Sequence, residues 1–129
     1  MDNREIVDLV NKYKLLVNTQ SRELFEEVFA SSNQCQLIAV SHHFMNRESV
    51  YNDFLIGAIR NSYSRIELIS DDLVINQISD TLATVVFKYH TDCDLRETGE
   101  FYSISGLETQ VLIKENNEWK ILHIHYSKV

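Results

Sequence analysis

Ile6, Leu9, Val10, Tyr13, Leu16 and Val17 recur at steps of three and four, the spacing that lines one side of an α-helix over residues 3 to 18. Asn18 and Thr19 interrupt that stripe. Ser21 is placed to cap a second helix, with Glu23 in its first turn complementing the dipole and Leu24, Phe25, Val28 and Phe29 turned inward. The segment QCQLIAV reads as a short strand and SHHFMNRES as a loop. A third helix follows over SVYNDFLIGAIRNSY, capped by Ser49, with Val50, Phe54, Ile56 and Ile59 as buried positions. From Ile66 the period changes to two and β-branched residues dominate, in RIELIS, LVINQI, TLATVVFKYHT, EFYSISGLETQVLIK and EWKILHIHYSK. Turns are expected at Ser79-Asp80, at Gly99 within RETGE, and at Asn116-Asn117, whose residue types tolerate the left-handed conformation of a tight hairpin. Gly106 interrupts a strand and marks a bulge or sharp bend, which would curl the sheet into a trough under the helices.

Helices first and a β-meander second make an α+β chain, and 129 residues suit one domain spanning 1–129. A hydrophobic fraction of 44% with 24% charged residues is that of an ordered globule. A net charge of −7 without any Lys/Arg cluster opposes binding to a phosphate backbone, so no nucleic-acid partner is expected. The start, MDNREIVD, is charged where a secretory signal would be apolar, and the longest apolar stretch, FLIGAI, is too short for a bilayer. The expectation is a cytoplasmic protein with no membrane partner. Cys35 and Cys93 have no metal-like spacing and suit a reducing compartment as thiols.

The order of elements, and the run SGLETQVLIKENNEWKILHIHYS, resemble the nuclear transport factor 2-like superfamily. Within it, the chain is similar to bacterial polyketide-cyclase-like and ketosteroid-isomerase-like proteins. Its C-terminal half also resembles the association domain of calcium/calmodulin-dependent kinase II, through Glu108, Thr109, Trp119, Ile121, Leu122, His123, His125 and Ser127. The resemblance implies a cone-shaped, cystatin-like fold: three N-terminal helices packed on a curved antiparallel sheet. It also implies dimerisation through the outer side of that sheet. At the positions where the association domain carries arginine, this chain has Gln110, Tyr126 and, in a looser alignment, His90, so a neutral pocket would replace a cationic one.

The last strand bears on assembly. Unbroken alternation sends Trp119, Ile121, His123, His125 and Ser127 to one face and Lys120, Leu122, Ile124 and Tyr126 to the other. Apolar residues on both faces predict cover on both sides, by helices and by a second copy of the chain, with Trp119 and Ile121 at the dimer interface. His123 and His125 are then neutral imidazoles at that interface or in the pocket. A zinc site would need a third ligand that no spacing supplies, so neither metal nor other cofactor is expected.

The pocket candidates are His90, Tyr102, Glu108, Gln110 and Tyr126. Three functions fit: a homodimeric binder of a small polar or amphipathic molecule, an isomerase- or cyclase-type enzyme using a pocket carboxylate or His as base and a Tyr as acid, and a stand-alone assembly module. The adjacent His42 and His43 are expected exposed in a loop, and Asp71-Asp72 at a break between strands.

Overall fold

The computed structural model describes residues 3–129; Met1 and Asp2, the first two residues of the charged start, lie outside the described residues. Helix α1 covers Arg4–Thr19, and its buried residues are Ile6, Leu9, Val10, Tyr13, Leu16 and Val17. Gln20 ends it in the left-handed conformation, donating its backbone N–H to the Leu16 carbonyl. Helix α2, Arg22–Val28, starts at Ser21, whose hydroxyl accepts the Leu24 N–H.

The third helix departs from expectation in start and in pitch. Asn46, not Ser49, is its cap, accepting the Ser49 N–H, while the Ser49 hydroxyl donates to Asp53. One α-turn, Arg47–Ser49, runs directly into a π-helix, Val50–Arg60. Together they form α3. Its buried residues are Val50, Phe54, Leu55 and Ile59, at steps of four and five rather than three and four, as the wider i→i+5 turn requires. Ile56 is consequently only half-buried.

The strands are β1 (Gln36–Ile38), β2 (His43–Phe44), β3 (Tyr63–Gln77), β4 (Leu82–Leu95), β5 (Phe101–Tyr102), β6 (Ser105–Glu115) and β7 (Glu118–Lys128). They form one sheet ordered β2-β1-β7-β6-β4-β3, with β5 also on β4. The sheet is mixed rather than purely antiparallel, because β1 joins β7 in parallel. His43, expected in a loop, belongs to the short β2, and it and His42 are exposed. The two segments around Asp71-Asp72 are one continuous β3 with a register shift there, Asp72 taking a φ of 54°. Positive φ is found at Gly99, Asn116 and Asn117, the turn positions read from residue type.

Two irregularities shape the far end of the sheet. Gly106 opposes Tyr89 and Lys128 without a register shift, and a Cβ there would overlap the Ser127 carbonyl oxygen. Close approach of backbone, not a bulge, is what demands glycine. The bulge lies in β7: Leu112 pairs with Ile121 and Val111 with His123, leaving Leu122 as an extra residue. Alternation therefore changes phase at Leu122. Trp119 and Ile121 before it and Ile124 after it are all in the core of one chain, at 7%, 0% and 0% exposure. This corrects the expected interface: Trp119 and Ile121 are consumed by the chain's own core and are not free to meet a second copy.

Candidate functional site

On β6, the buried positions Glu108, Gln110 and Leu112 alternate with the outward Leu107, Thr109 and Val111, so strand geometry alone carries a carboxylate and an amide into the interior. The register sets Phe87 of β4 and Tyr126 of β7 directly beside Glu108. Across the trough, α1 lowers Tyr13 from its apolar stripe, and the Tyr13 hydroxyl donates to the Glu108 carboxyl. Between them lies a cavity of about 110 Å³, lined by Tyr13, Val17, Phe54, Ala58, Ile59, Tyr63, Ile66, Leu68, Tyr89, Thr91, Ile104, Glu108 and Tyr126. Among the described residues, the lining holds no Lys, Arg or His.

Glu108 is 3% exposed. Its two protein donors are the Tyr13 hydroxyl and Gln110 Nε2, the latter 2.7 Å from Oε2. Both favour the carboxylate, yet loss of water outweighs them and pushes the carboxyl up to about 7. A carboxyl poised there is present as acid and as base at neutral pH, the property wanted in a proton-transfer group. The phenols move the same way. Burial, with the Glu108 charge adding to it, raises Tyr89 to about 12, and burial raises Tyr13 and Tyr126 well above the usual range. All three remain O–H donors at any ordinary pH.

Their hydroxyls are not equivalent. Tyr89 donates to the Ser127 carbonyl at 2.9 Å and Tyr13 to Glu108. Tyr126 sits edge-on to Tyr89, with ring centroids 5.7 Å apart, and against Phe54 at 6.2 Å.

Glu108 and Tyr126, both named from sequence, come together here. Gln110 lies one position deeper, at 0% exposure, outside the cavity lining but bonded to Glu108. Its Oε1 is buried with no hydrogen-bond partner among the described residues, a state that costs about 1–3 kcal/mol. Tyr102 stands beside the cavity, stacked on the lining residue Tyr63 at 6.3 Å. His90 does not belong: its neighbours Tyr89 and Thr91 are the inward residues of β4, which puts His90 on the outer face. His123 and His125 are outside the pocket too, because the Leu122 bulge turns them to the outer face, near His43. Among the described residues, no three His, Cys, Asp or Glu side chains converge as a metal site.

Tyr13, Tyr63, Tyr89 and Phe54 were missed. Tyr13, Phe54 and Tyr89 satisfy the apolar pattern of their elements, which does not reveal what the far end of a ring will meet, and Tyr63, expected at the end of the third helix, instead opens β3 ahead of a register shift. The one signal was Tyr13 itself, the sole residue of the α1 stripe with a polar tip.

The profile of the SnoaL-like domain family matches residues 7–129. No curated protein matches the chain in sequence. Among solved structures, a nuclear transport factor 2-like superfamily protein from Salmonella enterica serovar Typhimurium is 24% identical with a TM-score of 0.92, over 98% of this chain and 89% of that one. A chain assigned as a calcium/calmodulin-dependent protein kinase II association domain from Xanthomonas campestris is 15% identical with a TM-score of 0.82, over 100% and 89%. A chain assigned as a scytalone dehydratase from Novosphingobium aromaticivorans is 16% identical with a TM-score of 0.84, over 98% and 83%. At such identities the likeness is one of fold, with a curled mixed sheet closed by three helices. With nearly its whole length matched by the profile, the chain belongs to the SnoaL-like domain family, within the nuclear transport factor 2-like fold.

Proposed function

We propose that the cavity binds a small, neutral, largely apolar molecule bearing a carbonyl or similar oxygen, and that Glu108 transfers a proton to and from it. The observation that carries this reading is a fully enclosed carboxyl, raised to about 7, in a cavity walled by aromatic rings and free of cations. A cavity of about 110 Å³ suits a ligand of about one small ring, since an engineered apolar cavity of roughly 150 Å³ takes benzene. A steroid would not fit without opening the trough.

In this scheme the Glu108 carboxylate removes a proton from the carbon next to the carbonyl. The C–H electron pair moves into a new C=C bond and the C=O pair onto oxygen, where the Tyr126 O–H meets the developing charge. Return of the proton from Glu108 to a different carbon of a conjugated system completes an isomerisation. Loss of a β-substituent with its electron pair instead completes an elimination, the reaction type in the name of the dehydratase neighbour.

Assembly accompanies this reading. The outer face carries Val74 and Leu107, both exposed, with Val86, Val111 and the histidines His123 and His125 on the same side of the ladder. Such a face supports pairing of two copies there, in place of the Trp119–Ile121 contact.

The test is hydrogen exchange. Small cyclic ketones and enones are incubated with the protein in D2O and the α-proton signals followed by NMR. Exchange accelerated by the native chain and abolished by Glu108→Gln supports the reading; equal rates with the two proteins overturn it.

A further inference from the structure

Gln110 is bonded at one end only. Its Nε2 lies 2.7 Å from Glu108 Oε2, and its Oε1, equally buried, has no partner among the described residues. An amide held at both ends by fixed groups is locked in one orientation. Here a half-turn about the terminal bond would break nothing at the outer end, because nothing is bonded there. It would exchange only the atom presented to Glu108.

That exchange matches the chemistry of the carboxyl. An ionised Glu108 accepts only and needs the N–H of Gln110; a protonated Glu108 carries an O–H and needs an acceptor. A separation of 2.7 Å is ordinary for O–H···O as well as for a charge-assisted N–H···O, so the heavy atoms need not move between the two states. We infer that Gln110 is a positioning residue that follows the proton on Glu108, its amide turning over each time the carboxyl gains or loses it. Donor meets carboxylate and acceptor meets acid, so neither half of a proton-transfer cycle leaves the inner carboxyl oxygen without its complement.

The other groups facing Glu108 do not compete for this role. Tyr13 from α1 approaches as a hydroxyl donor, Tyr89 from β4 is committed to Ser127, and Tyr126 from β7 and Tyr63 from β3 line the cavity. α3 contributes Phe54, Ala58 and Ile59, none of them titratable.

The inference rests on Glu108 as the proton carrier, and one NMR experiment on the intact chain separates the two claims. The Glu108 carboxyl carbon and the Gln110 side-chain NH2 group are followed together from pH 5 to pH 9. The expected result is a common midpoint: the Gln110 proton nearest Glu108 resonates downfield above it, as a donor to a carboxylate, and moves upfield below it as the amide turns. Gln110→Met should shift the Glu108 midpoint upward by roughly one pH unit, since the bond lost to the carboxylate is the stronger of the two. Gln110 signals that stay constant through a Glu108 titration overturn the role of Gln110 and leave the carboxyl reading standing. A Glu108 carbon that does not titrate in this range overturns both. The wild-type measurement decides alone should the methionine variant not fold.

Discussion

Glu108 and Tyr126 face each other directly across the β6–β7 ladder, an acid and a phenol held at neighbouring-strand distance on the inner side of the sheet. Neither can drift from the other without unpairing the two strands. If the Tyr126 O–H meets the charge that develops on the substrate, Tyr126→Phe should lower turnover by about 10²-fold, the effect of removing one preorganised donor. The thermal midpoint should change little, since the ring that packs on Phe54 and Tyr89 remains. Steady-state rates and a melting curve on the same preparation check both halves.

Burial of Glu108 should also be visible as a dependence of stability on pH. Its folded value, about 7, lies above the ordinary 4.5, so the native state holds a proton that the unfolded chain releases between those values. Native stability from this group is complete below 4.5, falls as pH rises, and levels off above about 7, a loss on the order of 3 kcal/mol. Glu108→Gln removes the dependence and should be the more stable protein at pH 8. Urea unfolding at pH 5 and pH 8 for both proteins measures it.

Gly106→Ala tests the crowded end of β7. The added methyl would meet the Ser127 carbonyl and the Tyr89 hydroxyl, displacing the bond between those two groups. A destabilisation of about 3 kcal/mol is expected, toward the upper end for an overpacked site, read from the urea midpoint.

Assembly separates Trp119 from Leu107. Trp119→Ala empties core space and should cost about 3–5 kcal/mol in unfolding while any folded protein keeps its oligomeric state. Leu107→Arg, on the exposed face of β6, should leave stability nearly unchanged and shift light scattering from dimer to monomer mass.

The stripe on α1 was legible to the last position because α-helical period and burial coincide there. Asn116, Asn117 and Gly99 were legible because residue type and left-handed φ are tied by sterics. The pitch of α3 was not, since Val50 and Phe54, four apart, fit an ordinary helix as well, and only Leu55 and Ile59, five beyond Val50 and Phe54, mark the wider turn. That His123 and His125 do not share the face of Trp119 and Ile121 was hidden for a related reason. A single extra residue, Leu122, reverses the faces of everything after it, and residue type gives no sign of where a ladder will skip. Glu108 was legible as an unusual polar residue on an apolar strand, whereas its partner Tyr13, far earlier in the chain, was hidden within a perfect helical stripe.

The titration of Glu108 itself is the most direct measure of whether a buried carboxyl carries the proton. With glutamate labelled at the carboxyl carbon, one resonance should titrate with a midpoint near 7 in the native chain and move higher in Tyr13→Phe, where a donor to the carboxylate is lost. A Glu108 midpoint near the ordinary 4.5 would mean that water reaches the carboxyl, and would contradict the buried proton carrier on which the proposed chemistry stands.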